Sequence, residues 1–170
     1  MTRTHFILGG ARSGKSRRAL VLAEKVASRP VFIATAEAWD DEMAERIARH
    51  KTERGTAWST IEAPLDLVTA LEAAAEKGDL CVVDCLTLWL SNLMHHDRDV
   101  GVETRRLCET ISSLSIPVIL VSNEVGLGLV TETPLGRAFR DAQGRLNQDV
   151  AKVCDRVEFV AAGLPIALKG

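Results

Sequence analysis

Eight consecutive residues near the start of the chain, Gly9, Gly10, Ala11, Arg12, Ser13, Gly14, Lys15 and Ser16, fit the pattern GxxxxGK[ST]. That pattern supplies what a polyphosphate requires. Glycines let backbone N–H groups converge on phosphate oxygens, and the amino end of the following helix adds partial positive charge. Lys15 is expected to reach the β- and γ-phosphates as a solvent-facing point charge, while the Ser16 hydroxyl can ligate Mg²⁺. The plainer reading is a glycine-rich turn that binds nothing. A bound metal also calls for a carboxylate at the end of an apolar strand, and Leu80-Cys81-Val82-Val83-Asp84 ends in one. Asp84 is therefore, with Ser16, a candidate Mg²⁺ ligand; its alternative role is to cap a helix beginning near Thr87-Leu88-Trp89-Leu90.

Histidine is the second residue type that could do chemistry. The stretch from Asp40 to Arg54 has helical spacing, with Met43, Ile47 and His50 on one face and the pairs Glu42/Arg46 and Glu45/Arg49 at i,i+4. From spacing alone His50 fits packing or capping at least as well as catalysis. Lys51 and Arg54 could hold phosphates or simply complement the helix end. His95-His96-Asp97 lies in a polar stretch and reads as a solvated loop, with only a superficial likeness to a metal cluster.

These groups need elements to hold them. The chain has 170 residues, 46% of them hydrophobic, with 21 Lys+Arg against 23 Asp+Glu, which fits one domain over residues 1–170 with a substantial core. A net charge of −2 offers no basic excess for a nucleic-acid backbone. No apolar run is long enough to span a bilayer, and MTRTHFILGGARSGKS breaks too early for a signal peptide, so the expected location is the cytoplasm. Four cysteines without a CxxC pair read as small buried hydrophobes.

Short apolar runs alternate with amphipathic stretches, the order expected of an α/β fold with a mostly parallel sheet flanked by helices. Strands are expected at 5–9, 30–36, 80–84, 117–122 and 156–162, with a short final strand at 166–169 after a turn at 163–165. Helices are expected at 13–28, 40–54, 64–77, 102–114 and 135–153. Pro64 would occupy the first turn of the third helix and Gly78 would close it. Residues 123–134, NEVGLGLVTETP, are too rich in glycine and proline for a helix, and fit either a mobile segment near the substrate or a tight strand-to-helix connection. The motif leaves several nucleotide chemistries open. No NKxD element supports a GTPase switch and no HRD or DFG element a protein kinase, which leaves a small-molecule kinase or nucleotidyltransferase.

Five segments in order carry a more specific resemblance: GGARSGKSRRA at 9–19, FIATAEAWDDEMAERIARHKTERG at 32–55, DCLTLWLSNL at 84–93, VSNEVGLGLV at 121–130 and LGRAFRDAQGRLNQ at 135–148. Together they resemble the bifunctional adenosylcobinamide kinase / adenosylcobinamide-phosphate guanylyltransferase family of cobalamin assembly. The resemblance implies a RecA-like P-loop fold and association as a homotrimer. It implies phosphorylation of the aminopropanol hydroxyl of adenosylcobinamide with ATP or GTP, then transfer of GMP from GTP to adenosylcobinamide phosphate, giving adenosylcobinamide-GDP and pyrophosphate. The second half would pass through a GMP-histidine, and the family segment RIxxHKxxR places that histidine at His50, with Arg46, Ile47, Lys51 and Arg54 in register. By the same resemblance Ala34, Thr35, Ala36, Lys51, Thr52, Glu53, Arg54, Glu62 and Asp84 join residues 9–16 as nucleotide-contacting positions. Relatives often carry serine at the position of Ala36 and sometimes glutamate at that of Asp84. Glu62 could read guanine N1–H and N2–H₂, or be a surface glutamate after a strand. Two rivals remain: a P-loop small-molecule kinase without a covalent step, and a non-enzymatic nucleotide-responsive module.

Overall fold

A computed structural model of the chain describes residues 3–37 and 57–170. The helix expected at 40–54, and with it His50, Lys51, Thr52, Glu53 and Arg54, lies outside the described residues.

Strands β1 (Thr4–Gly9), β2 (Pro30–Ala34), β3 (Ser59–Glu62), β4 (Leu80–Asp84), β5 (Val118–Asn123), β6 (Arg156–Ala161) and β7 (Leu164–Lys169) form one sheet in the order β3-β2-β4-β5-β1-β6-β7. Every pairing is parallel except β6 with β7. The helices are α1 (Lys15–Glu24), α2 (Leu67–Lys77), α3 (Leu86–His95), α4 (Val100–Ser113) and α5 (Pro134–Val153).

The central strands are apolar on both faces because both faces are covered. One core joins Phe6, Val31, Ile33, Val83, Val118 and Leu120 to Leu71, Trp89, Leu90, Leu93, Leu107, Ile111, Leu146 and Val150 of α2 to α5. On the other face Ile7, Phe32, Val82, Ile119, Val121 and Val160 meet Ala19 and Ala23 of α1. Small residues there allow α1 to lie close to the sheet. Cys81, Cys85 and Cys154 are buried, as expected of small hydrophobes, whereas Cys108 on α4 is only half-buried. Among the described residues no helix is long and apolar enough to cross a membrane.

The structure departs from the sequence expectations at particular places. Strand β3 is absent from the expected strands, implied only by the reading of Glu62 as a glutamate after a strand: its four residues at a sheet edge are two exposed and two half-buried, so no apolar run marks it. Helix α3 fills a stretch expected only as the sequel to a possible cap. His95 is its last residue and His96 its C-cap, so the two histidines terminate a helix, and His96 Nε2 lies 3.3 Å from a Glu37 carboxylate oxygen. Pro64 falls before α2, whose N-cap is Asp66, because its carbonyl is held by Asn92 Nδ2 at 2.9 Å; Gly78 does close the helix. The C-terminal turn is Ala162-Gly163, both with positive φ (51° and 78°), so β7 starts at Leu164 rather than 166. That backbone suits a tight two-residue hairpin. Of the segment 123–134 expected to hold no helix, residues 124–133 contain none, while Asn123 ends β5 and Pro134 opens α5, where its missing N–H costs nothing.

Candidate active site

Parallel strands put their carboxyl ends on one edge of the sheet, where open α/β folds bind ligands. Here that edge carries most of the described candidate residues. Gly9 of β1 is level with Asn123 of β5, Asp84 of β4 with Ala34 of β2, and Ala34 with Glu62 of β3. Glu62 is exposed at the end of β3.

The phosphate loop leaves β1 and enters α1 through Gly14, whose φ of 96° is a left-handed conformation that glycine adopts without steric cost. No side chain caps α1, so its first-turn N–H groups are not claimed by a capping oxygen. A helix amino end of this kind is built for an anion. The loop is braced from outside: Gly163 N–H of the β6–β7 turn donates to Ser13 O at 2.8 Å. This brace was invisible in the motif, since it comes from a turn about 150 residues away.

Lys15 corrects an expectation. It is only 8% exposed rather than solvent-facing, and its ammonium donates to Gly10 O at 2.9 Å. Burial lowers its pKa, while the negative charge of Asp84 pulls it back up. That coupling places the ammonium and the Asp84 carboxylate in one local field. Asp84 does not cap α3; the N-cap is Cys85, and it makes no side-chain capping bond. The Cys85 thiol is pushed up to about 11 by burial and by Asp84, so it stays protonated and is a poor nucleophile at neutral pH.

Thr35 is fully buried and engaged inside the protein. Its Oγ1 donates to Cys85 O at 2.7 Å and accepts from Cys85 N–H at 2.8 Å, and its own carbonyl accepts from Asn92 Nδ2 at 2.8 Å. These bonds tie the end of β2 to the turn after Asp84, so Thr35 positions the carboxylate. Ala36 offers only backbone and a methyl group.

A charge-rich cluster lies on the α1 face as well. Glu158 of β6 is 1% exposed, receives Arg18 Nε and Nη2 at 3.0 Å each, and lies 2.8 Å from Arg156 Nη2 and 3.5 Å from His5 Nε2. Sequence reading missed it because four residues from three elements meet only in the folded sheet. Among the described residues no group of three or more His, Cys, Asp or Glu could hold a metal ion. A groove of about 620 Å³ between α4 and α5, lined by Val100, Thr104, Cys108, Leu146 and Val153, includes neither the phosphate loop nor Asp84.

Residues 5–168 match the sequence family described as cobinamide kinase / cobinamide phosphate guanyltransferase. The chain belongs to that family. It is 48% identical over 166 residues to the bifunctional adenosylcobalamin biosynthesis protein CobP of Pseudomonas aeruginosa, covering 96% of each chain. It is 36% identical over 178 residues to the corresponding CobU protein of Salmonella typhimurium, covering 96% of this chain and 98% of that one. Among solved structures, a KaiC-like protein from Pyrococcus horikoshii superposes with a TM-score of 0.56 at 14% identity, covering 92% of this chain and 70% of that one. A type III secretion ATPase gives 0.54 at 14% identity, covering 97% and 56%. At that identity the likeness concerns the fold, which is the RecA-like P-loop fold expected from the sequence.

Proposed function

We propose that this chain phosphorylates the aminopropanol hydroxyl of adenosylcobinamide with ATP or GTP and then transfers GMP from GTP to adenosylcobinamide phosphate. The observation that carries this reading is an uncapped helix start with a buried Lys15 coupled to Asp84, in a chain matched by the family over residues 5–168. The cradle of residues 9–16 binds the triphosphate through backbone N–H groups and the Lys15 ammonium. Ser16 and Asp84 supply a hydroxyl and a carboxylate, a donor set that suits Mg²⁺, which takes one or two protein oxygens beside substrate phosphates and water. Bound there, the ion offsets charge on the phosphate oxygens.

His50 is the proposed nucleophile of the second reaction. Its imidazole nitrogen forms a bond to the α-phosphorus of GTP as the bond to the bridging oxygen breaks and pyrophosphate leaves. The substrate phosphate oxygen then takes the GMP, and the N–P bond breaks to restore imidazole. Lys51 and Arg54 offset the charge of the departing pyrophosphate; Thr52, Glu53, Ala34, Ala36 and Glu62 complete the nucleotide surface. A homotrimer fits the exposed Leu164, Ile166 and Leu168 of edge strand β7, which a second copy would cover. A cytoplasmic location fits the four free thiols. Family membership favours this reading over a kinase without a covalent step.

The test is α-labelled GTP followed by denaturing electrophoresis. Wild type should retain label from α- but not γ-labelled GTP, in an adduct stable to alkali and lost in mild acid. His50→Ala should lose the adduct and the guanylyl transfer while keeping cobinamide phosphorylation. Full labelling of the variant would refute the assignment.

A further inference from the structure

Asn123 ends β5 with its backbone clamped and the oxygen of its side chain unused. Its N–H donates to Thr87 Oγ1 at 2.8 Å, and its carbonyl accepts from Asn147 Nδ2 at 3.1 Å. Behind the clamp Ser122 Oγ donates to Asn147 Oδ1 at 2.8 Å, and Gln143 Nε2 donates to both Ser122 Oγ and Asn147 Oδ1, at 3.0 and 2.9 Å. Side chains from α3, β5 and α5 thus converge on one backbone position. Yet Asn123 Oδ1 is buried with no hydrogen-bond partner among the described residues. Burying an unpaired acceptor is destabilising, and in native proteins such a group usually has a use.

The sheet shows where that use lies. Strand order places β5 between β1, which leads into the phosphate loop, and β4, which ends in Asp84. Ile119 and Val121 pack in the core under α1, and so does Val82. Side chains alternate along a strand, so Asn123 and Asp84 stand on that same face, the side from which α1 presents Lys15. Asn123 therefore stands at the strand ends, between the phosphate-loop strand and the Asp84 strand, with Glu124 N–H donating to Gly9 O at 3.1 Å to hold the two strand ends together.

We infer that Asn123 is a catalytic residue of the phosphoryl-transfer half, an inference that rests on the kinase reading above. Its Nδ2–H donates to a γ-phosphoryl oxygen, and a turn of the carboxamide brings the buried Oδ1 to accept from the incoming hydroxyl. The hydroxyl oxygen forms the new O–P bond while the bond from the γ-phosphorus to the bridging oxygen breaks. The nucleoside diphosphate leaves with that electron pair, and the hydroxyl proton passes by way of a phosphoryl oxygen to solvent. A carboxamide takes no proton at neutral pH, so its contribution is alignment and charge stabilisation. Guanylyl transfer attacks the α-phosphorus instead and does not use it.

The experiment compares Asn123→Ala and Asn123→Asp with wild type. In Asn123→Ala, kcat for cobinamide phosphorylation should fall about 10²-fold, as on loss of one aligned transition-state donor. Binding of ATP should weaken about fivefold while ADP binding holds, the worth of one hydrogen bond to the γ-phosphate. At saturating α-labelled GTP, labelling should fall far less than the kinase kcat. Asn123→Asp, which keeps the shape but faces phosphate with a charge, should lose at least as much kinase activity, and it decides the matter if the alanine variant does not fold. Unchanged kcat and ATP affinity in a folded variant, or an equal fall in both half-reactions, overturns the inference. The ATP-to-ADP comparison needs no cobinamide, so it reports on Asn123 even if the substrate reading fails.

Discussion

Gly9→Ala should damage the protein through a contact that the P-loop pattern does not mention. A Cβ at Gly9 would lie 2.4 Å from Ser13 Oγ and 2.6 Å from Val160 O. The serine could rotate away, since its buried hydroxyl has no hydrogen-bond partner among the described residues. The carbonyl cannot. Val160 pairs with Gly9 in the β1–β6 register, so opening the contact by about 0.7 Å, to an ordinary carbon–oxygen separation, means shifting β6 or the phosphate loop. Overpacking of this kind costs about 1–3 kcal/mol, and a backbone obstacle puts the cost near the upper end. At roughly 2–4 °C per kcal/mol for a chain of this size, melting should fall by about 5–10 °C. Gly10→Ala is the control: nothing lies within 4 Å of its added Cβ, so it should melt within about 0.5 kcal/mol of wild type. Urea and thermal melts measure both, with ATP titration on the folded variants to show whether the loop or β6 has moved. Wild-type stability and ATP affinity in Gly9→Ala would refute the reasoning.

Two further outcomes follow from the site and its surroundings. Asp84→Asn should raise the Mg²⁺ concentration needed for half-maximal activity about tenfold, because an amide cannot supply an anionic ligand; an unmoved Mg²⁺ midpoint in activity titrations would exclude Asp84 from the metal site. Burial lowers the pKa of His5; burial would raise that of Glu158, but the Arg18 hydrogen bond and the charges of His5 and Arg18 bring it below the usual carboxylate value. In both cases the unfolded chain binds more protons as pH drops, so stability should decline below pH 6.5 for His5 and further below 4.5 for Glu158. Glu158→Gln should cost about 2 kcal/mol at pH 7, less than a fully buried pair because both guanidinium groups are partly solvated, and should flatten the decline below 4.5 in urea melts across pH.

By itself the sequence determined the features whose physics is local. An apolar run followed by GGARSGKS dictates strand, phosphate loop and helix, because glycine conformations and a helix amino end are properties of adjacent residues. Continuous apolar runs announced β1, β2, β4 and β5, since strands covered on both faces must be apolar on both, and a run broken by Glu158 announced β6. The family segments were likewise contiguous. Tertiary structure decided what depends on which elements become neighbours. The short edge strand β3 exists through its pairing with β2. The burial of Lys15, the brace from Gly163 on Ser13, and the obstacle that Val160 sets before Gly9 all arise from packing α1 and β6 against β1. Asn123 lay within a segment marked by its glycines and proline and by the family resemblance at 121–130, with no role of its own. Its place between the phosphate loop and Asp84 comes from the strand order, which inserts β5 between β4 and β1 although β1 lies more than 100 residues away in the chain. Periodicity encodes which side of an element is buried, whereas the order of strands across a sheet is settled by long-range contacts that no local window contains.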